Sequence, residues 1–438
     1  MQIHTAVNRL GFHYFPDTTH YREEDLAQWL PRLKHLNASW ITLVAHPLRA
    51  IPEPFIKGLL ANNITPVVHI RADLESRTEP RSMQVLLDSY AQWGIRYLAL
   101  FDRPNIRLSW HTAAWSQTEL VERFLDIYLP LAQATLNVGI TPVFPPLEPG
   151  GDYWDTAFLK AALRGLIRRG NTQLSEKLAI GAYAWTNART LNWGAGGPDV
   201  WPASRPYCTP EGSEDQQGFH IFDWYLAIAR TILGHSLPIF LLGAGCRMQD
   251  ASSLQSALEM PELHAQINLI LAQWLNATVE SEIPLGLKSI PNEVSACNFW
   301  LLSASERSPE SKDAWFPENR RPLPTVGSFL ANNSQASKTT VDNIGKYFGQ
   351  RLGHYLLIPE KSWRDKDWIY QATKGFIERQ FLTTGFSWLE AQSFRRVTIV
   401  GAEKWLGEEC FQQLSYSGCL IEEVYGDGMV LASKLNNL

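Results

Sequence analysis

Residues 40–101 read WITLVAHPLRAIPEPFIKGLLANNITPVVHIRADLESRTEPRSMQVLLDSYAQWGIRYLALF. Three short apolar runs, ITLVA, PVVHI and YLALF, are separated by two longer stretches in which apolar residues return every three or four positions. The short runs are hydrophobic at successive residues, as in a parallel strand covered on both faces, and the longer stretches have the period of helices. The segment therefore reads as two consecutive βαβ units.

The same alternation continues outward in both directions. It predicts strands over 10–15, 40–45, 65–70, 97–101, 141–144, 178–183, 238–242 and 296–302, with helices over 23–36, 54–62, 82–93, 116–136, 153–168, 219–233 and 262–278. Eight strands with seven helices between them favour a (β/α)8 TIM barrel over an open doubly wound sheet. No GxGxxG follows the first strand and no GxxxxGK[ST] occurs, so a nucleotide site has no support and no cofactor is expected. A Pro-, Ser- and Asn-rich stretch over 317–337 marks the end of the barrel. The expected organisation is a barrel over 1–333, a linker over 334–350 and a small α/β domain over 351–438. The last has strands over 355–358, 396–400 and 420–424, and helices over 367–380, 408–416 and 429–435.

Composition narrows the function classes. A chain of 438 residues exceeds one ordinary core, and 45% hydrophobic with 19% charged residues is a globular balance. A formal net charge of -5 leaves no broad cationic field, which disfavours nucleic acid or an anionic membrane as the main partner and suits a neutral polar ligand such as a carbohydrate. No apolar run approaches the ~20 residues of a membrane span and no signal-peptide pattern opens the sequence, so a cytoplasmic protein is expected, with non-classical export left open. The five cysteines, Cys208, Cys246, Cys297, Cys410 and Cys419, are scattered without CxxC spacing, which argues for reduced, buried thiols and against a disulfide framework or zinc site.

In such barrels the reactive groups sit at the C-terminal ends of the strands and in the loops that follow. Those positions hold His13, His46, His69 with Arg71, Asp102 with Arg103, Glu148 with Asp152 and Asp155, Trp185 with Asn187, Cys246 with Arg247, and Trp300. Strand four ends LFDRPN (100–105), strand seven reads PIFLLGAG (238–245), and strand eight, NFWLL (298–302), is followed by DAWF (313–316). These segments resemble the NEPN segment, the PIWITEFG-type segment and the closing strand with its sugar-platform tryptophan of the clan A glycoside hydrolases, a likeness covering about the first 330 residues. The resemblance implies a carbohydrate ligand, and it also implies a loss. It sets Arg103 where the family has its acid/base glutamate and Gly243 where it has its nucleophile. A retaining glycosidase needs two carboxyl groups about 5–5.5 Å apart; arginine is no proton donor at neutral pH, and glycine has no side chain.

Four readings follow. The first is a carbohydrate-binding pseudoenzyme that uses His13, His69, Arg71, Arg103, Trp185, Asn187 and Trp300. The second is a hydrolase with relocated carboxylates, Asp102 and Glu148 being the best pair among acids that include Asp152, Glu211, Glu214 and Asp215. The third is a metal-dependent hydrolase on His13, His46, His69 and Asp102, although no HxH or HExxH spacing supports a metal site. The fourth is a structural or assembly protein that reuses the barrel, with the C-terminal domain as a candidate surface for a protein partner. The 17 tryptophans favour sugar recognition, because flat rings with a polar edge bury the apolar faces of sugars. Trp185, Trp193, Trp201, Trp224, Trp300 and Trp315 are expected on or beside the mouth, and the Gly-, Pro- and aromatic-rich insertion over 186–218 is expected to cover strand six as a binding loop or an oligomer contact.

Overall fold

The computed structural model describes residues 8–75, 80–252, 260–275, 277, 286–334, 352–359, 363–380, 382–392, 394–416 and 419–436. The chain divides into two compact units, Met1–Ala336 and Ser337–Leu438. The expected linker beyond Ser334 lies outside the described residues.

The first unit is a closed barrel of eight parallel strands in sequential order. They are β1 (Leu10–His13), β2 (Trp40–Ala45), β3 (Thr65–Ile70), β4 (Tyr97–Leu100), β5 (Thr141–Phe144), β6 (Ala179–Trp185), β7 (Ile239–Gly245) and β8 (Val294–Phe299). β1 closes the ring on β8, with Gly11 opposite Asn298. Each strand is buried along nearly its whole length because alternate residues serve two cores. Ile41, Leu43, Leu98, Leu100, Ile180 and Leu241 point outward to meet apolar stripes of the surrounding helices, such as Leu120–Asn137 and Ile221–Leu233. Val67, Ala99, Val143, Ala179, Phe240, Leu242 and Ala296 fill the interior. Trp40, Tyr97 and Phe240 plug it at one end, their ring centroids 4.5–5.8 Å apart. Small residues decide how closely strands approach. A Cβ on Gly11 would lie 2.3 Å from Asn298 Oδ1 and 2.7 Å from the Trp40 carbonyl oxygen.

The second unit is a parallel sheet in the order β10-β9-β11-β12, formed by β9 (Leu352–Leu357), β10 (Thr383–Gly385), β11 (Phe394–Gly401) and β12 (Leu420–Tyr425). One face packs Tyr355, Val397 and Ile399 with Leu414, and the other packs Leu356 and Val400 with Ile369, Phe376 and Leu431. The expected α/β class is present with one strand more than anticipated. Thr383–Gly385 is a three-residue edge strand with an exposed TTG sequence, too short and polar for an apolar run to mark it.

None of the five cysteines is in a disulfide. Cys208 is exposed, contrary to the expectation that the thiols are buried, because it lies in the long insertion outside both cores. Among the described residues no helix is long and apolar enough to cross a membrane.

Candidate functional site at the barrel mouth

The site is built where β4 ends. Phe101 and Arg103 both adopt positive φ, 68° and 44°, which bulky non-glycine residues rarely do. This backbone turns the Phe101 ring outward into the helix layer, against Phe124, and brings Asp102 to the barrel axis. The Arg103 amide is pinned to the Pro146 carbonyl oxygen at 3.0 Å, tying the turn to the loop after β5. Strained backbone of this kind persists only where its surroundings hold it, and here those surroundings are ionic.

Asp102 accepts a hydrogen bond from the Tyr183 hydroxyl at 2.7 Å on one oxygen and from Arg103 Nε at 3.1 Å on the other, with Arg71 Nε 3.9 Å away. Burial pushes its carboxyl up, but Arg71, His69, Arg103 and the Tyr183 hydroxyl outweigh burial and hold it below the usual carboxylate range. Arg103 Nη1 also reaches Glu148 Oε2 at 3.4 Å. Asp102 and Glu148, the pair singled out from the sequence, are therefore brought together, yet with an arginine between them. Asp102 is a counterion at neutral pH and has no proton to give.

His13 and His69 lie beneath this layer with no exposed surface. Arg71 Nη2 lies 3.3 Å from His13 Nε2, and His69 Nε2 lies 2.7 Å from the Phe101 carbonyl oxygen. An arginine only donates and a carbonyl only accepts, so His13 carries its proton on Nδ1 and His69 carries its own on Nε2. Burial and then Arg71 lower both groups, His69 to about 4, so both are neutral supports below the floor of the site. His46 is placed apart from them, its Nδ1 accepting the Leu48 amide at 3.1 Å. Among the described residues no group of three or more His, Cys, Asp or Glu is arranged to hold a metal ion.

The other wall is aromatic. Tyr183 and Trp185, two residues apart on β6, face the same side and stack at 5.3 Å and 14°; Trp185 meets Trp300 edge-on at 5.7 Å, and Trp300 meets His13 at 4.5 Å. The Trp300–Leu301 peptide is cis. A register shift where β7 pairs with β6 and β8 places Gly243 opposite Tyr183. A Cβ on Gly243 would lie 2.7 Å from Trp185 Cη2, 3.1 Å from Tyr183 Cδ1 and 3.2 Å from Trp300 Cε3. The aromatic rings occupy the space that a side chain at 243 would need.

A cleft of about 280 Å³ opens here, lined by Arg71, Arg103, Glu148, Tyr183, Trp185 and Trp300, and on its far side by Arg247, Gln249, Glu310, Lys312 and Asp313. Arg247 is spread over the Trp185 ring at 4.6 Å and is held by Asp250 at 3.1 Å and Asn187 Oδ1 at 2.9 Å. Asn187 thus acts behind Arg247 and is not itself among the lining residues.

Several contributors were not singled out from the sequence, although Asn105 and Asp313 lie within the LFDRPN and DAWF segments quoted above. Asn105 donates to the carbonyl oxygens of Glu148 at 2.9 Å and Tyr153 at 3.0 Å and accepts the Glu148 amide at 2.8 Å, so it sets the loop that presents Glu148. Tyr183 was discoverable from the two-residue period that pairs it with Trp185. Asp313 closes the short 3₁₀ turn Ser311–Asp313, a single turn too brief for a period to mark it.

Other sequence candidates are structural. Trp315 has no exposed surface and packs against Phe12, Phe299 and Phe329, and the buried Trp224 donates to the Gly194 carbonyl at 2.9 Å; neither is a sugar platform. Asp215 binds Arg189 at 2.7 Å, Trp193 Nε1 at 2.9 Å and Thr209 at 2.9 Å, and so cross-braces the 186–218 insertion. Glu214 accepts the Gly194 amide at 2.7 Å, and Asp152 accepts the Arg107 amide at 2.9 Å. Asp155 is fully buried and accepts from the Gly150 amide, Gln216 and Tyr225.

No protein-family model and no curated protein matches the sequence. Among solved structures, the chain is similar to a family 39 glycoside hydrolase from Bacteroides cellulosilyticus WH2, at 10% identity and TM-score 0.46, covering 73% of this chain and 63% of that one. It is also similar to an endo-β-1,3-glucanase of glycoside hydrolase family 128 from Sorangium cellulosum, at 14% identity and TM-score 0.37, covering 74% and 98%. A third is a Saccharomyces cerevisiae Gas2p variant in complex with laminaritetraose and laminaripentaose, at 8% identity and TM-score 0.42, covering 82% and 74%. The fold of the first unit is a closed eight-stranded parallel barrel. The chain spans about 63% of the length of the family 39 structure, and at these identities the likeness concerns architecture alone.

Proposed function

We propose that the barrel mouth recognises a carbohydrate without the two-glutamate mechanism of clan A. One observation carries this reading. Tyr183, Trp185 and Trp300 form an aromatic wall over Gly243, and next to it Arg103 lies between two carboxylates. Rings beside a dense set of donors and acceptors match a sugar, which offers apolar C–H faces and hydroxyl edges. Both signs of charge are interspersed along the lining, with Arg71, Arg103, Arg247 and Lys312 facing Glu148, Glu310 and Asp313, a mixed polar surface that can donate to and accept from hydroxyl groups.

The reading predicts saturable quenching of tryptophan fluorescence by members of a neutral oligosaccharide panel. Trp300→Ala weakens binding by at least tenfold, about 1.4 kcal/mol, with unchanged far-UV circular dichroism. Absence of binding across the panel, or unaltered affinity in Trp300→Ala, refutes it and leaves a barrel used for assembly.

A further inference from the structure

We propose that a second cavity, between the loops after β1 and β2, binds the phosphate or sulfate group of a small organic ester. The inference goes beyond the carbohydrate reading and does not depend on it.

The cavity has a volume of about 380 Å³, a size that holds a small ligand. Arg22, His46 and Arg49 are in its lining, and no carboxylate is. The barrel-mouth cleft differs on this point, because there Arg71, Arg103 and Arg247 each have a carboxylate partner at 3.1–3.9 Å. Among the described residues neither Arg22 nor Arg49 forms an ion pair. The neighbouring carboxylates are engaged elsewhere. Asp17 accepts the Thr19 amide and hydroxyl at 2.9 Å and lies 2.8 Å from His20 Nδ1, Asp25 accepts the Arg22 amide at 2.8 Å, and Glu53 pairs with Lys57 at 2.5 Å. Glu23 and Glu24 are exposed in the first turn of the helix Glu23–His35 and are not lining residues. Two arginines in one concave surface without a carboxylate leave their charge available to an anion.

The donors are held in place. Arg49 Nη2 donates to the Thr18 carbonyl oxygen at 2.8 Å and lies 3.3 Å from the Thr18 hydroxyl, a contact that spans the two loops. Among the described residues the side-chain hydrogen bonds of Arg49 use Nη2 alone, so Nε and Nη1 keep their donors. His46 Nδ1 accepts the Leu48 amide at 3.1 Å, so the neutral ring carries its proton on Nε2 and is itself a donor. A phosphate or sulfate ester presents several acceptor oxygens on one atom, which matches a guanidinium fork better than a single hydroxyl does.

The floor is apolar and fixed. Tyr21 and Ile51 are buried, with the Tyr21 hydroxyl donating to the Val44 carbonyl oxygen at 2.6 Å and the Ile51 amide donating to the Tyr90 hydroxyl at 3.0 Å. With Ala50 and Pro52 they offer a surface for the carbon body of a ligand. A bare ion would leave that surface uncovered, so an ester fits better than the inorganic anion.

Isothermal titration calorimetry on the full chain tests this with phenyl phosphate, phenyl sulfate, inorganic phosphate, and phenol as the uncharged control. The expected result is saturable binding of at least one ester, tighter than inorganic phosphate and weakened by added sodium chloride, because the arginines are exposed to solvent. The ester bound more tightly identifies the group as phosphate or sulfate. Arg49→Gln and Arg22→Gln each weaken it by about 10-fold or more, the effect of losing a charge-assisted bond. Arg22→Gln leaves the Arg49–Thr18 contact in place and so reports the loss of charge without a loosened loop. Circular dichroism and thermal unfolding of both variants check the fold. Ester binding that is unchanged in either variant overturns the inference, as does phenol or inorganic phosphate bound as tightly as the better ester, or failure of both esters to bind. None of these outcomes bears on the oligosaccharide titration, so the two readings fail separately.

Discussion

The Tyr183 hydroxyl donates to Asp102 Oδ1 at 2.7 Å, spanning the barrel mouth from β6 to the end of β4. This contact joins the aromatic wall to the ionic wall. It also explains why Asp102, a catalytic candidate in the sequence, is instead the anchor on which Arg71 and Arg103 are assembled.

Removing that anchor strands two guanidinium groups. Asp102→Ala is expected to destabilise the first unit by about 3–5 kcal/mol, the range for breaking a buried ion pair from one side, whereas Tyr183→Phe costs about 1–3 kcal/mol. Urea unfolding followed by tryptophan fluorescence measures both. A loss under 1 kcal/mol for Asp102→Ala contradicts the anchoring role.

The same group predicts a pH dependence. The Asp102 carboxyl titrates lower in the folded protein than in the unfolded chain, where carboxylates lie near ~4. Its stabilisation is fully present above that unfolded value and is lost as pH falls through the folded one. The wild-type advantage over Asp102→Asn should therefore be constant near neutrality and shrink below about pH 4, as read from urea midpoints.

Asp155 runs the other way. Burial, outweighing its three hydrogen bonds, raises its carboxyl to about 6. Between the unfolded value near ~4 and about 6 the folded state binds more protons than the unfolded chain, so this group makes stability fall as pH rises through that window and leaves it level above. Asp155→Asn keeps the acceptor for Gly150 and Gln216 and gives the Tyr225 oxygen a donor. The variant should gain on the wild type from pH 4 to 6, and a flat difference across that range rules the assignment out.

Restoring a carboxylate at position 243 should fail. Gly243→Ala already forces the aromatic rings to shift and costs about 1–3 kcal/mol, and Gly243→Glu should cost more while conferring no hydrolysis. Thermal unfolding and an aryl glycoside assay check the two halves, and an active, stable Gly243→Glu protein would show that the rings yield easily.

Asp215→Ala should loosen the 186–218 insertion without unfolding the barrel, because Arg189, Trp193 and Thr209 all lose the same partner. Limited proteolysis should cut within that insertion first. An unchanged cleavage pattern would mean that Glu214 and Trp224 suffice to brace it.

By itself, the sequence determined the barrel. Runs such as ITLVA and PVVHI are apolar at every residue because both faces of a parallel strand are covered, so strand number, order and even the bounds of β2, β3 and β5 are legible locally. The same logic placed Arg71, Arg103, Glu148, Trp185 and Trp300 in one cleft, since strand ends must meet around a closed ring. Roles were a different matter, because charge and burial at a point depend on residues far apart in the chain. Only the tertiary structure decided that Arg103 lies between Asp102 and Glu148, that Trp315 is core, that the rings of Tyr183, Trp185 and Trp300 fill the space over Gly243, and that Asp313 reaches the cleft from the short 3₁₀ turn Ser311–Asp313. Periodicity reports which face a side chain takes; the field it experiences is set by partners that no spacing encodes.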